Sequence, residues 1–576
     1  MPPAASQYVS EPLLQIDGTD APPELKKDIL KIVVEESLHL PAMFTLVLHN
    51  NYIPADQNNK AWRHQKYLEI GKSVRIGFGN STTLDANFDD QKKGYVIEGE
   101  ITAIDANFTE KSESHLMIRG YDFSHRLHRG RYSRSFQNMK DSDIVERIAK
   151  ESGLKATCSN TGEPREYVFQ ENQTNMEFLR ELAARYGFEL FVQNGTLYFS
   201  NPEKRGEKLS LKWLKDISGF NVRVTSAQQV SEVEVRGWDY ENKRAIVERA
   251  SSEKLITDTD NGKGSQTADK FKVSRPKMMV VDHPVFKADE AKKIAQALCN
   301  ELGGEFVYAD AKMDGNGNPE VRPGRVIELK DMGNYNGKYY VTDARHTYHE
   351  KIYNTDFSIR GLRDGGMLSM LTPPVHLQPG QTLMVGIVTN NKDPKAWGRV
   401  KVRLPTLTEE HESNWARVVS IGAGTGRGFD CLPEVDDEVL VGFEHGDIHR
   451  PYVIGGVWNG KDKPPEPVND SVQGGKVRLR TIKTRKGHKL QFVDEDKGGS
   501  KTGVYIETAG GHKIKVNDSD RHIEIETNGG HKLKMDDRGQ SISIQSTLNL
   551  SIEAQGNIDI KANGIITVKG AMIHLN

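Results

Sequence analysis

Residues 504–545 read VYIETAGGHKIKVNDSDRHIEIETNGGHKLKMDDRGQSISIQ, and the reading of this stretch decides the fold. Within each short run the apolar members stand two apart, as in Ile514/Val516, Ile523/Ile525, Leu533/Met535 and Ile542/Ile544, with Lys, Glu and Ser between them. A period of two sends successive side chains to opposite faces of a strand, so one face is dry and the other charged. The pattern continues through LNLSIEA, NIDIKA (with Ile558/Ile560), ITVKG and MIHLN, and Gly-His-Lys recurs at 487–489, 511–513 and 530–532. Strands with only two inward residues each cannot enclose a core by themselves and would leave a long apolar edge in water. Three copies wound round a common axis would bury every inward stripe and pair every backbone edge. The tail at 476–576 is therefore expected to be a homotrimeric, triple-stranded β-helix, a charged prism on the order of 40 Å long for strand layers about 4.7 Å apart. A monomeric solenoid fits less well, since its coils need about twenty residues or more and larger inward clusters.

Working outward, KDKPPEP at 461–467 excludes both helix interior and central strand, which places a linker at 461–475. Ahead of it come five short β runs, VGIV, GRVKVRL, WARVVSI, DEVLVGF and PYVIGGVW, separated by turn-rich loops. They predict a small closed or nearly closed barrel at 385–460. A second break, LRDGGMLSMLTPPVHLQPGQTLM at 362–384, holds paired Gly, paired Pro and a Pro-Gly, and sets a linker at 371–384. The first 370 residues read as a large α+β region. Short alternating strands such as 95–104 and 115–121 are interrupted by helices near 142–152, 174–187 and 289–302. For the second of these, Thr174 and Glu177 form a capping-box pattern and Gly187 a stop. The expected class is mostly β and multidomain.

At 576 residues the chain exceeds one hydrophobic core several times over. Its 78 basic and 80 acidic residues leave a net charge of −2, which gives no cationic field for nucleic acid or anionic lipid. Cys158, Cys299 and Cys431 lie far apart with no CxxC spacing and read as reduced thiols from the cytosol. The N-terminus MPPAASQYVS lacks the basic and apolar regions of a signal peptide, and no run of eighteen apolar residues could span a bilayer.

These features in this order resemble the VgrG family and the related hub and spike proteins of contractile phage tails. The residues that carry the likeness are GYDFSHRLHRGRYSRSF at 120–136, MEFLRELAARYGFELFV at 176–192, RPGRVIEL at 322–329 and NGKYYVTDARHTYHEKIYNTDF at 336–357. In the barrel they are WGRVKVRLP at 397–405, WARV at 415–418, LPEVDDEVLVGFEHGD at 432–447 and RPYVIGG at 450–456, similar to the spike's OB-fold. The resemblance implies a homotrimeric hub of barrel-like subdomains seated on an inner tube and baseplate, an OB-fold neck, and a needle capped by a PAAR-type tip protein. It also implies assembly in the bacterial cytoplasm into a phage tail-like particle, transient contact with a target membrane, and cargo or effector among the partners. Few residues separate barrel from needle and none follows Asn576, so neither an inserted lysozyme domain nor a fused effector is expected. That compactness resembles released extracellular particles of the antifeeding-prophage and virulence-cassette type. The tip protein is expected on the open end of the prism, at Met572, Ile573, His574, Leu575 and Asn576, whose strand edges would otherwise stay unpaired.

Catalytic, cofactor and metal residues are not predicted. The glycines of GAGTGRG at 422–428 lack the spacing of a phosphate loop, since Arg427 stands where Gly or Gly-Lys is required. His445, Asp447 and His449 fit a solvated turn, and the odd spacing of Asp343, His346 and His349 splits them between strand faces. His574 would meet its copies on a threefold axis only by pointing inward, whereas alternation with Ile573 and Leu575 turns it out. Trp397, Trp415, Phe443, Tyr452 and Trp458 are interleaved with acidic residues, so packing in barrel and neck suits them better than binding single-stranded nucleic acid. The function expected is mechanical, with a cell-wall or glycan hydrolase and a receptor-binding adhesin as the rival readings.

Overall fold

The computed structural model describes residues 9–50, 63–81, 92–107, 115–203, 205–271, 273, 275–281, 284–361 and 381–574. Most of the segment expected as a linker, 371–380, lies outside them, as do Leu575 and Asn576. The architecture is mostly β, and the chain divides into two compact units, 1–457 and 458–576.

In the first unit an antiparallel sheet of eleven strands forms the frame. Its centre joins Ile29–Ser37, Met43–His49, His115–Asp122 and Lys92–Asn107, with Ser73–Ser81 and Val9–Ile16 continuing on one side. On the other side Asp343–His349 pairs with Ile29–Ser37, placing Ala344 opposite Glu36, and leads on to Ile352–Ile359, Val307–Met313 and Gly219–Val224. Residues more than three hundred apart in sequence thus share one ladder. Alternation produces the core: Ile32, Val34, Phe44, Leu46, Leu48, Leu116 and Ile118 all point to the same buried side. Gly120 is required for that closeness, since a Cβ there would stand 2.2 Å from the Glu100 carbonyl oxygen and 2.3 Å from the Phe44 ring.

The two ends of this sheet region are also tied by a buried polar knot. Arg322 donates from Nε to both carboxylate oxygens of Glu36 at 3.1 Å and from Nη2 to Oε1 at 2.6 Å, and it also reaches the carbonyls of Tyr95 and Val96. Beside it His346 is fully buried, with Nδ1 2.7 Å from the Tyr353 hydroxyl and 3.2 Å from Thr355 Oγ1. Burial and the neighbouring Arg322 charge push its imidazole down to about 3, so the ring is neutral. Asp343 is half-buried and His349 exposed on the opposite face of the strand, as the odd spacing predicts.

A second core is built by the helices Asp141–Glu151 and Asn175–Tyr186 against short strands around 155–200. Both bonds of the Thr174/Glu177 capping box are present, and Gly187 ends the helix in the left-handed region at φ 66°. The helix Ala288–Gly304 lays Ile294, Ala295 and Leu302 on the strands Glu232–Asp239 and Arg244–Ala250. In the segment Gly120–Leu127, Asp122 caps the two-turn 3-10 helix Phe123–His128 by accepting from the Ser124 amide at 3.0 Å, and His125 sits 2.7 Å from Glu100. That segment is a structural clasp.

All five β runs expected for the barrel contain strands: Met384–Asn390, Lys401–Arg403, Arg417–Val418, Glu438–Phe443 and Pro451–Gly456. Their order leaves Lys401–Arg403 and Arg417–Val418 at the two ends. Those ends meet, because Val400 and Ala416 exchange backbone hydrogen bonds at 3.0 and 2.7 Å, so the sheet closes on itself. Val388, Val400, Val402, Ala416, Val439 and Val441 fill the interior.

Candidate assembly surface

The second unit is dominated by one sheet, a seven-stranded antiparallel meander: Leu479–Lys483, Lys489–Val493, Gly503–Glu507, Lys513–Asn517, His522–Glu526, Lys532–Asp536 and Ser541–Gln545. The recurrence of Gly-His-Lys is explained by the turns on one edge. Thr484, Thr508 and Thr527 each open a tight turn whose Gly, three residues on, donates back to the Thr carbonyl at 2.9 to 3.0 Å. In every case the His that follows donates its amide to the Thr hydroxyl, at 3.1 Å for His488 and His512 and 3.2 Å for His531. Each imidazole then accepts, on Nδ1, an amide hydrogen from the next turn on the same edge: Ala509 to His488, Asn528 to His512 and Thr547 to His531, all at 3.3 Å. The repeat is Thr-x-x-Gly-His, a stack of turns clamped by side chains. Its first position is legible in the sequence only once the hydroxyl's partner is known.

Register aligns the two sorts of side chain into columns. One apolar column runs Ile482, Leu490, Ile506, Ile514, Ile525, Leu533 and Ile544, and the other runs Phe492, Val504, Val516, Ile523, Met535 and Ile542. On the opposite face charges alternate in sign across the strands, Lys489, Glu507, Lys513, Glu526 and Lys532 in one row and Lys515, Glu524 and Lys534 in the next. Exposure is inverted relative to an ordinary sheet. Ile523 and Ile525 are 44% and 43% exposed, whereas Glu524 between them is 5% exposed. Lys515 Nζ lies 2.7 Å from Glu524, and Lys532 pairs with its other oxygen. A lone chain thus covers its charged face and leaves its apolar face in water. Full burial of an aliphatic side chain stabilises by roughly 1.5–3 kcal/mol, so two open columns are a large unused driving force.

Beyond Gln545 the regular structure stops. No strand and no backbone–backbone hydrogen bond is formed over 548–574 among the described residues, and these residues are exposed throughout, Leu548 and Ile565 by 87% and 90%. Among the described residues the expected strands LNLSIEA, NIDIKA and ITVKG, and the described part of MIHLN, are therefore absent from the single chain. Strands of this length need a partner edge for their amides, and one chain does not supply it. Of the expected tip-binding residues, Met572 is 74% and Ile573 49% exposed, His574 is exposed, and Leu575 and Asn576 lie outside the described residues.

The other candidate residues are scattered. Gly424 and Arg427 close the GAGTGRG loop on itself through paired backbone bonds at 3.0 and 3.2 Å. Asp447 accepts from the amide of His449 at 2.9 Å and contacts its Nδ1 at 2.8 Å, in an exposed turn. Trp397 and Trp458 are exposed and pack in no core, while Lys395 and Arg399 lie 4.8 and 4.9 Å over the Trp397 ring. Burial pushes the Cys158 and Cys299 thiols up to about 12 and 11, which keeps both protonated at neutral pH. Among the described residues no helix is long and apolar enough to cross a membrane, and no cluster of His, Cys, Asp and Glu has a metal-binding arrangement.

Comparison with known proteins adds the following. A family model described as Alg8 N-terminal domain matches residues 26–350, more than half of the chain. A second, described as the type VI secretion system/phage-baseplate injector OB domain, matches 384–458, the closed barrel. A type VI secretion system spike protein of Vibrio cholerae, VgrG3, is 24% identical over 413 residues, 64% of this chain and 38% of its own. An actin cross-linking toxin of the same species, VgrG1, is 22% identical over 396 residues, 63% of this chain and 35% of its own. The chain thus spans well under half the length of these two relatives. A solved component of the Escherichia coli type VI secretion system aligns with a TM-score of 0.38 and 16% identity, covering 77% of this chain and 99% of that one.

The Lys515–Glu524–Lys532 bridge makes the tail acid-sensitive in a defined window. Burial alone would raise the Glu524 carboxyl, but hydrogen bonds and charge from the two lysines outweigh it and hold it at about 2 against an ordinary 4.5. Its stabilising contribution is therefore complete above pH 4.5 and is lost as pH falls towards 2. Glu524→Gln is expected to lower tail stability by about 1–3 kcal/mol at pH 6 and by nearly nothing at pH 2 in denaturant unfolding. An equal deficit at both pH values would refute this assignment.

Proposed function

We propose that three copies of this chain, which belongs over residues 26–350 to the family of the Alg8 N-terminal domain and is a VgrG-like spike and hub protein, form the central spike of a contractile injection system. The observation that carries the proposal is the inverted tail sheet, which buries Glu524 and Gln491 while leaving Ile523, Ile525, Ile542 and Ile544 open to solvent. Threefold association would cover the apolar columns of each chain with those of the other two. It would also give the amides of 548–574 the neighbouring edges that a single chain lacks, converting that segment into triple-stranded β-helix. The N-terminal region would seat the trimer on the inner tube and baseplate, with the barrel as neck and the tail as needle.

In this reading the chain transmits force and performs no bond chemistry. Sheath contraction would drive the needle into a target membrane, and cargo would travel with the particle. Assembly takes place in the bacterial cytoplasm, as part of a phage tail-like particle that is then discharged or released. The open end at Met572, Ile573, His574, Leu575 and Asn576 would carry a PAAR-type tip protein, whose base covers strand edges and the exposed side chains of Met572 and Ile573.

Sedimentation of the purified chain should give a species of three times 64.5 kDa. The double variant Ile523→Asp/Ile525→Asp, which places six charges in the buried columns of a trimer, should sediment as a monomer. A monomeric parent, or a variant that trimerises as well as the parent, would exclude the arrangement. Deleting residues 571–576 should abolish co-purification of a co-expressed PAAR-type protein while leaving the trimer intact; retention of that protein would remove the assigned tip site.

A further inference from the structure

The first unit contains a cavity of about 530 Å3 that no assembly role above employs. That lies within the range of small-molecule sites, roughly 300–1,000 Å3. Its walls are the loop at 253–259, the C-terminal end of the helix Ala288–Gly304 and the strand Gly337–Tyr340, and Leu38, Ile256, Phe306 and Val307 supply apolar surface.

Two carboxylates on this wall are buried and half satisfied. Glu189, 4% exposed, accepts from Arg205 Nη2 at 3.0 Å and from the Tyr340 hydroxyl at 2.9 Å, both on Oε2, and its Oε1 has no partner. Glu253, 2% exposed, accepts from the Ser265 amide at 3.3 Å on Oε1, and its Oε2 has no partner. Buried carboxylate oxygens are ordinarily paired, and leaving one unpaired costs about 1–3 kcal/mol or more for a charged group. Two such atoms on residues of one cavity wall leave two acceptors that a donor-bearing ligand could satisfy. Lys254 and Lys338 also line the wall, so a purely cationic ligand is opposed and one that carries a carboxylate as well is favoured.

We propose that this cavity binds a small basic zwitterion, an amino acid or peptide end whose ammonium or guanidinium group donates to the free oxygens of Glu189 and Glu253. The apolar wall would take the aliphatic stem of such a side chain, which long basic residues bury readily.

Calorimetric titration of the full chain with L-arginine is expected to show saturable binding tighter than about 1 mM. Glu189→Gln and Glu253→Gln preserve shape and should each weaken it at least about tenfold, the scale of one lost charge-assisted hydrogen bond. Ile256→Trp, which fills the apolar wall without touching either carboxylate, should abolish it, and L-glutamate should give no saturable heat. Absence of binding up to about 10 mM, or binding unaffected by all three variants, would mean that the cavity holds water only. The sedimentation mass is independent of this result, so the ligand site and the trimer stand or fall separately.

Discussion

A sheet made of five-residue strands has two faces and too little width to curl over either, and everything distinctive in this chain depends on that constraint. Each strand of the tail contributes one or two apolar residues to one side and alternating charges to the other. A monomer can cover only one face, and it covers the charged one, because the register sets lysine and glutamate rows within pairing distance. Ion pairs at a surface stabilise little, whereas a part-buried pair such as Lys515–Glu524, whose carboxylate is almost fully covered, depends more on both partners remaining in place. The apolar columns are left for another chain. After Gln545 even the meander ends, and the backbone itself then requires a neighbour.

The N-terminal region solves the opposite problem, that of holding together segments far apart in sequence. The Glu36–Arg322 knot and the pairing of 343–349 with 29–37 bind its first strands to its last, so that the intervening helices and small sheets are closed within one frame. Arg322 and His346 both lie in motifs that carry the family resemblance, and both are structural residues, His346 fully buried and Arg322 mostly so. The ends of a frame closed in this way cannot separate without breaking the Glu36–Arg322 pair, whose carboxylate is buried.

Much of this was legible in the sequence, and the reasons differ by element. The helix over Asn175–Tyr186 was visible because both its caps are local and chemically specific, and the barrel because five alternating runs stand between turn residues. The tail alternation gave the correct faces. It did not reveal which face a single chain would bury, because that depends on the reach of the lysine side chains to the glutamates beside them. The strands after Gln545 were read from alternation alone, and alternation specifies a face without supplying a partner edge. The turn clamp of Thr508 and His512 was half visible: Gly-His-Lys repeats in plain sight, whereas the threonine's part lies in a hydrogen bond. Glu189 and Glu253 gave no sequence signal, since buried carboxylates cannot be told from the many exposed ones without the fold.

The central claim, that the tail completes its fold by association, is tested most directly by amide hydrogen exchange across 548–574 in the assembled protein. Pairing with neighbouring chains predicts protection by at least about a thousandfold over unstructured peptide, continuous with that of the meander. Exchange of these amides at the unstructured rate would contradict it.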